Sequence, residues 1–170
     1  MAIVVTDTSV LINFLKMDRM DLVGSHPAGF LATDHVRDEI SDRYPAQVER
    51  YAAALKAGWL SEEAVVDPAE VALFGRLSST PRLGPGECSA IAVALNRQHS
   101  LAIDDGRAIR HALHEAGLTG YSMTILRTQD VIVELIRASV LTLGQADEIK
   151  AVWEAHHRFR IAVRSFADLL

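Results

Sequence analysis

Ala2-Ile3-Val4-Val5-Thr6-Asp7 opens the chain with a short run of mostly β-branched residues that ends on an acid. A run of this kind is typical of a strand buried inside a parallel sheet. Helical periodicity then begins near Ser9 and continues to Lys16, so the first strand leads almost directly into a helix. Asp7 lies at the junction, where it could cap that helix or belong to a site.

The same alternation of strand and helix recurs along the chain. Gly29–Ala32 and Ser100–Ile103 are further strands, residues 59–66 could hold a short one, and residues near Tyr121 could add an edge strand. Helices are predicted over about 34–40, 45–56, 68–77, 87–95, 107–116 (closed by Gly117), 128–138 and 144–159. Strands that alternate with helices predict an α/β/α sandwich around a mainly parallel sheet of four to five strands.

Length and composition favour one cytoplasmic domain. The 170 residues contain no repeat or linker, and one cysteine, Cys88, excludes an internal disulfide. No apolar run approaches the ~20 residues that span a bilayer, and no basic segment precedes a long apolar stretch, so we expect neither membrane helix nor signal peptide. The acidic motifs described below fall within residues 2–125, and the helices of 126–170 are expected to pack on that part.

The net charge of −5 is unlike that of a simple basic nucleic-acid-binding protein. Residues 1–105 contain 15 acids and 9 Lys or Arg, whereas the remaining residues contain 7 acids and 8 Lys or Arg. The acidic excess therefore lies in the first two-thirds of the chain. An acidic nuclease is physically reasonable if bound metal cations offset the phosphate charge.

Three acids follow predicted strands directly. Asp7 ends the first strand, and Asp104 and Asp105 end a later one. Sites in parallel sheets form at the carboxyl ends of strands, so these acids converge if the two strands are neighbours. The ordinary alternative is that each is a turn or helix-capping residue.

Two glutamates occupy unusual helix positions. Glu39 lies near the buried edge of its helix, between Val36 and Ile40, although a solvated acidic face is the alternative. Glu87 opens a helix that is apolar almost all round, where the helix dipole favours an acid. It is also well placed to reach a metal ion.

Together these acids predict a divalent-metal site. Clustered carboxylates raise one another's pKa unless a cation neutralises them. Ligand sets made of carboxylates alone suit hard ions such as Mg²⁺ or Mn²⁺. Such an ion polarises a phosphoryl oxygen and lowers the pKa of a bound water.

Four motifs resemble those of PIN-domain ribonucleases, in order and in spacing. They are Val4-Val5-Thr6-Asp7-Thr8-Ser9-Val10-Leu11-Ile12, Val36-Arg37-Asp38-Glu39-Ile40, Gly84-Pro85-Gly86-Glu87-Cys88-Ser89-Ala90-Ile91-Ala92 and Leu101-Ala102-Ile103-Asp104-Asp105. The third motif is the most specific. The resemblance covers roughly residues 2–125, and its departures are a longer helical tail and Ile103, where Thr is often found.

The resemblance implies a PIN-like fold and divalent-metal-dependent hydrolysis of RNA phosphodiester bonds. It also implies a VapC-type toxin, restrained by an antitoxin protein and paired as a homodimer. Asp7, Glu39 and Glu87 would be site acids, with Asp7, Glu87 and either Asp104 or Asp105 on the metal. Alignment on the strand end favours Asp104, and alignment on the apolar-Thr-x-Asp form of the motif favours Asp105.

Several polar residues are candidates for contacts with the substrate. Thr8 or Ser9 could bind a metal-bound water, although a helix cap is the alternative for Ser9. Arg107 and Arg110, three residues apart on the next helix, could meet phosphates or face solvent. The acid-free basic segment 156–164 could form an RNA track or a solvated tail.

Other classes of protein fit less well. A haloacid-dehalogenase-type phosphatase requires a second Asp at position 9, which is Ser, and a response-regulator receiver requires paired acids near the first strand. The serious alternative is a non-catalytic RNA-binding or assembly module that keeps the fold.

Overall fold

The computed structural model of the protein describes residues 1–170 and contains one sheet of five parallel strands. In chain order the strands are β1 (Ile3–Thr6), β2 (Gly29–Thr33), β3 (Ser61–Glu63), β4 (Ser100–Ala102) and β5 (Ile125–Leu126). Their order across the sheet is β3-β2-β1-β4-β5. The predicted α/β architecture with a parallel sheet is therefore confirmed, and every strand pair is parallel.

Nine helices surround the sheet. They are α1 (Thr8–Lys16), α2 (Met20–Gly24), α3 (Asp34–Glu39), α4 (Pro45–Ala57), α5 (Pro68–Ser78), α6 (Pro85–Asn96), α7 (Gly106–Thr119), α8 (Thr128–Arg137) and α9 (Leu143–His156), followed by a 3₁₀ turn at Phe166–Leu169. No helix combines the length and hydropathy that a membrane crossing requires.

Alternating side chains of the strands divide the apolar interior into two cores, one on each face of the sheet. Val4, Phe30 and Ala102 pack with α1, α2, α4, α8 and α9, whereas Val5 and Leu31 pack with α5, α6 and α7. The period of two residues along each strand produces this division. Helix α6 is buried along almost its whole length, as its small apolar residues predict.

The chain changes direction across the sheet between β1 and β4. It builds β1, β2 and β3 in one direction and then crosses back to place β4 on the other side of β1. Thr6 pairs with Ala102, and the Asp7 N–H donates to the Ala102 carbonyl at 2.9 Å. The carboxyl ends of β1 and β4 are therefore adjacent at the topological switch point, where parallel sheets bind their ligands.

Helix ends account for most differences from the sequence predictions. Helix α7 does not close at Gly117 but continues to Thr119, because Gly120 adopts the left-handed conformation (φ 74°) that ends it. Helix α6 begins two residues before Glu87, and α1 begins at Thr8 with Asp7 as its N-cap. The edge strand predicted near Tyr121 lies at residues 125–126, and the short helix α2 was not predicted.

The last helix is shorter than predicted because the chain folds back on it. Helix α9 ends at His156, and Arg158 adopts a left-handed conformation (φ 55°). Phe159 then packs edge-to-face on Trp153, at 5.3 Å between ring centroids. The indole N–H of Trp153 donates to the Asn13 carbonyl at 2.9 Å, which ties α9 to α1.

A buried ion pair connects α5 to the end of α6. Glu70 is only 2% exposed, and its carboxylate accepts hydrogen bonds from the Arg97 guanidinium at 2.6 and 3.2 Å. Arg97 also pairs with the more exposed Glu63. A buried carboxylate of this kind is tolerated because a cation is bonded to it.

We expect Arg97→Ala to lower the free energy of unfolding by about 3–5 kcal/mol, because it leaves Glu70 buried without a partner. Arg76→Ala is the matched control, since Arg76 is largely exposed where it pairs with Glu115, and it should cost less than about 1 kcal/mol. Urea denaturation followed by circular dichroism measures both. Equal losses in the two variants would show that the Glu70–Arg97 pair has no special role.

Candidate active site

Asp7 is held rigidly at the carboxyl end of β1. Its side chain is the N-cap of α1 and accepts from the Thr8 N–H at 2.6 Å and the Ser9 N–H at 3.2 Å. The Ser9 hydroxyl donates to the same carboxylate at 2.6 Å. Because Asp7 is only 2% exposed, these bonds fix one side-chain position.

Burial raises the pKa of Asp7 to about 6, despite hydrogen bonds from Ser9 and Thr8 that lower it. The negative charge of Glu87 raises the pKa further. The ionised form of Asp7 is therefore costly in the absence of a cation.

Glu39 bridges two segments of the site from the end of α3. One carboxylate oxygen accepts from the Thr8 hydroxyl at 2.7 Å, and the other accepts from the Gly86 N–H at 2.6 Å. Thr33 is the N-cap of α3, and its hydroxyl accepts a hydrogen bond from the Val36 N–H. The glutamate at the C-terminal end of α3 is thereby brought against α1 and α6.

The glycines of the third motif provide room for Glu39. A Cβ atom on Gly86 would lie 2.5 Å from one carboxylate oxygen of Glu39, and one on Gly84 would lie 3.2 Å from the other. The same Gly84 position is 3.9 Å from a carboxylate oxygen of Glu87. The Gly-x-Gly-Glu pattern therefore permits the two glutamates to approach the start of α6 together.

Glu87 lies in the first turn of α6, where one carboxylate oxygen accepts from the Gly84 N–H at 2.8 Å. Burial raises the pKa of Glu87, and the negative charges of Asp105 and Glu39 raise it further, whereas Arg107 lowers it. Glu87 thus lies between acids contributed by α3, β1 and the end of β4.

Asp104 and Asp105 have different surroundings. The Asp104 carboxylate accepts from the Thr128 N–H at 2.8 Å, the Thr128 hydroxyl at 2.6 Å and the Asn13 amide at 3.2 Å, and burial raises its pKa. Asp105 caps α7 through one oxygen, which accepts from the N–H groups of Arg107 and Ala108. Its pKa is lowered by those bonds and by nearby arginines, so Asp105 is ionised at neutral pH.

None of the five acids forms an ion pair with Lys, Arg or His. No salt bridge of the protein includes Asp7, Glu39, Glu87, Asp104 or Asp105. Glu70, which is as deeply buried as Asp7, is paired with Arg97. The acids at the switch point therefore have no cationic partner, whereas Glu70, a buried acid outside the site, has one.

The donor set fits a hard divalent cation held partly through water. No group of three or more His, Cys, Asp or Glu side chains is close enough to bind one metal ion directly. Mg²⁺ requires less than that, because it keeps several waters and uses one or two carboxylates. The raised pKa values of Asp7 and Glu87 show the unfavourable charge that such a cation would relieve.

The four predicted contact residues occupy different positions. Ser9 and Thr8 bond directly to site acids, since Ser9 donates to Asp7 and Thr8 to Glu39. Arg107 is half-buried near Glu87 and donates to the Arg82 carbonyl at 3.3 Å, whereas Arg110 is exposed. Both arginines are near enough to lower the pKa of Asp105.

Asn13 and Thr128 support Asp104, and neither was predicted from the sequence. Asn13 is buried one turn along α1 from Ser9, and its amide donates to the Ser9 carbonyl at 3.1 Å and to Asp104. A buried Asn in an apolar helix was the available signal for it. Thr128 lies 24 residues beyond Asp104 and gave no such signal, because only the fold brings the two together.

A family model described as a PIN domain matches residues 3–152, which is most of the chain. The chain belongs to the PIN-domain family. No curated protein matches it. Members of this family are generally nucleases, and those nucleases typically use divalent metals.

Gly86→Ala should leave the fold intact and displace Glu39, because the clash falls on the end of a flexible side chain. We expect a loss of about 1–2 kcal/mol in the free energy of unfolding, roughly the value of the lost hydrogen bonds. A double-mutant cycle with Glu39→Ala tests the cause: in a Glu39→Ala background, Gly86→Ala should cost almost nothing. Additive losses would contradict this explanation.

The raised pKa of Asp7 predicts that the ionisation of this side chain makes the metal-free protein less stable as the pH rises from about 4 to 6. In that interval the folded state still holds the proton that the unfolded state has released, so a higher pH favours unfolding. Asp7→Asn should therefore be more stable than wild type at pH 8, by about 1–3 kcal/mol. Urea denaturation in EDTA at pH 8 and pH 4 measures the difference, which should vanish at pH 4.

Proposed function

We propose that this PIN-domain protein is a divalent-metal-dependent endoribonuclease whose site consists of Asp7, Glu39, Glu87 and Asp105, supported by Asp104. The observation that carries the proposal is Asp7, a fully buried carboxylate without a cationic partner, at the switch point of the sheet. The negative charge of Glu87 raises the pKa of Asp7, and the negative charges of Asp105 and Glu39 raise the pKa of Glu87. A PIN domain with this arrangement of acids supports phosphodiester hydrolysis.

Asp7, Glu87 and Asp105 are the residues that would hold Mg²⁺ or Mn²⁺, partly through water molecules, because the three carboxylates are not close enough to bind one ion directly. Asp105 is favoured over Asp104 because one of its oxygens makes no hydrogen bond within the protein and its charge acts on Glu87. Both oxygens of Asp104 are occupied by Thr128 and Asn13. A bound ion would supply positive charge to the phosphate and a more acidic water.

The other side chains orient this site and meet the substrate. Ser9 bonds to Asp7, and its hydroxyl also accepts the N–H of Asp104, so one side chain links the ends of β1 and β4. Thr8 orients Glu39. Arg107 and Arg110 lie near Asp105, and their positive charge would attract a phosphate group of the substrate.

A toxin of a toxin–antitoxin pair is the biological role that we propose for this nuclease, acting in the cytoplasm as a homodimer. Leu113 and Leu118 on α7 are 47% and 69% exposed, and an antitoxin or a second copy would cover such surface. The unpaired, buried Cys88 suits a reducing compartment.

With Mn²⁺ or Mg²⁺ we expect wild-type protein to cleave single-stranded RNA, and EDTA to abolish cleavage. Asp7→Asn, Glu87→Gln and Asp105→Asn should each lower the rate by at least about 100-fold, whereas Asp104→Asn should lower it about tenfold, as a supporting residue does. Gel analysis of end-labelled RNA measures the rates, and a second substrate of the same sequence in DNA tests the preference for RNA.

Asp38→Asn is the matched control, because Asp38 is an exposed acid directly before Glu39, paired with Arg37. It should change the rate by less than about twofold. Mn²⁺ should also raise the melting temperature of wild type and not that of Asp7→Asn. If wild type and Asp7→Asn behave alike with Mn²⁺ while RNA binding persists, the protein is a non-catalytic binding module instead.

A further inference from the structure

A groove of about 710 Å³ beside the acid site is lined mostly by polar and basic residues. Its basic side chains come from α1, the α3–α4 connection, α4, the end of α9 and the tail after it, and they are Lys16, Arg43, Arg50, His156, His157 and Arg158. Glu39 is the one acid among the lining residues. We refer to this feature as the basic groove.

Most of the positive charge in the basic groove is not neutralised by the protein. Lys16, Arg43 and Arg158 form no ion pair. Arg50 is engaged, because it pairs with the exposed Asp18 and donates to the carbonyls at the end of α1. The groove therefore contains at least three cations that are free to meet an anion.

The cations are close enough to affect one another. Partial burial lowers the pKa of His157, and the positive charges of Lys16, His156 and Arg50 lower it further. Residues from α1, α4 and the tail are thus gathered into one region of positive potential. A polyanion that passes along the groove would meet all of them.

The fold holds the tail residues in place within this groove. His157 N–H and Phe159 N–H both donate to the Trp153 carbonyl, at 3.0 and 3.3 Å, and between them Arg158 takes the left-handed conformation. The packing of Phe159 on Trp153 completes this turn. Arg158 therefore belongs to an anchored turn and not to a freely moving tail.

Two further lining residues favour a nucleic acid over a simple anion. Tyr44 is 53% exposed, and an aromatic ring beside basic side chains is a platform on which a base can stack. Gln47 is only 8% exposed, and its amide oxygen has no hydrogen-bond partner. That oxygen needs a donor, which a phosphate group lacks and a ribose hydroxyl or a base amino group provides.

The groove leads to the candidate active site through Glu39, which belongs to both. Its carboxylate is bonded to Thr8 and Gly86 at the site, while the residue lines the groove. Arg127 and Arg160 line a second, smaller cavity of about 160 Å³ with Asp104. Basic side chains therefore share a cavity with Glu39 and a second cavity with Asp104.

We propose that the basic groove binds the sugar–phosphate backbone of single-stranded RNA and leads the strand past Glu39 to the acids. Lys16, Arg43 and Arg158 contact phosphates, Tyr44 stacks on a base, and Gln47 accepts a hydrogen bond from the strand. The assignment rests on the proposed ribonuclease function, and it names the part of the surface that receives the substrate.

The test is a binding measurement that requires no catalysis. Fluorescence anisotropy with a fluorescein-labelled 12-nucleotide single-stranded RNA, in EDTA at low salt, compares wild type with the double variant Arg43→Glu/Arg158→Glu. The matched control is Lys56→Glu/Arg137→Glu, which makes the same change in net charge at exposed residues outside the groove. We expect a loss of at least tenfold in affinity for the groove variant and less than twofold for the control.

Salt dependence distinguishes phosphate contacts from a general loss of charge. For the groove variant, the slope of log affinity against log salt should fall by about 1.4, because two phosphate contacts to a single strand are lost. Gln47→Leu should weaken binding about threefold without a change in slope, because it removes one hydrogen bond and no charge.

Several results would overturn the assignment. These are binding by the groove variant at wild-type strength, equal weakening in both double variants, absence of RNA binding by the wild type, and displacement of the RNA by an equimolar deca-glutamate peptide. The last result would indicate an acidic protein segment as the occupant.

Cleavage assays separate this inference from the proposed function. Metal-dependent cleavage that survives in the groove variant at wild-type KM refutes only the role of the groove. Groove-dependent binding without any cleavage supports the groove and refutes the nuclease.

Discussion

The pairing of β1 with β4 is the contact on which the rest of the site depends. These strands are about 95 residues apart in sequence, yet their parallel register places Asp7 beside the end of β4 through the bond from its N–H to the Ala102 carbonyl. Because the chain changes direction across the sheet here, the segments that follow both strands lie side by side at the carboxyl edge of the sheet. Ser9 reinforces this junction by bonding to Asp7 and to the Asp104 N–H.

The raised pKa values of Asp7 and Glu87 indicate that their negative charge is unfavourable in the metal-free fold, and the surrounding structure compensates with hydrogen bonds. Asp7 is held by Thr8 and Ser9, and Glu39 by Thr8 and Gly86, so each carboxylate is fixed without a cation. Glu70 shows how the same chain treats a buried acid whose role is structural, since it is paired with an arginine. Glu70 is thus neutralised by a cation within the fold, whereas Asp7 and Glu39 retain negative charge that a bound cation could neutralise.

Much of the fold and of the acid set was predictable from the sequence, because both depend on local patterns. Short apolar runs that end on acids marked β1 and β4, and the Gly-x-Gly-Glu start of α6 marked Glu87. The different surroundings of Asp104 and Asp105 were not predictable, because they depend on Thr128 and Asn13, which only the tertiary fold brings near. The end of α9 likewise depends on the packing of Phe159 against Trp153.

The net charge of this protein does not describe the potential at either surface, because opposite charges are separated locally. The overall charge is −5, but the acids are concentrated at the switch point and several unpaired cations line the adjoining groove. Without a divalent ion, the acids would repel a phosphate that the groove attracts. Affinity for a polyanion and the capacity to act on it would then respond to different conditions. The first depends on monovalent salt, which screens the groove, and the second on the divalent ion that neutralises the acids.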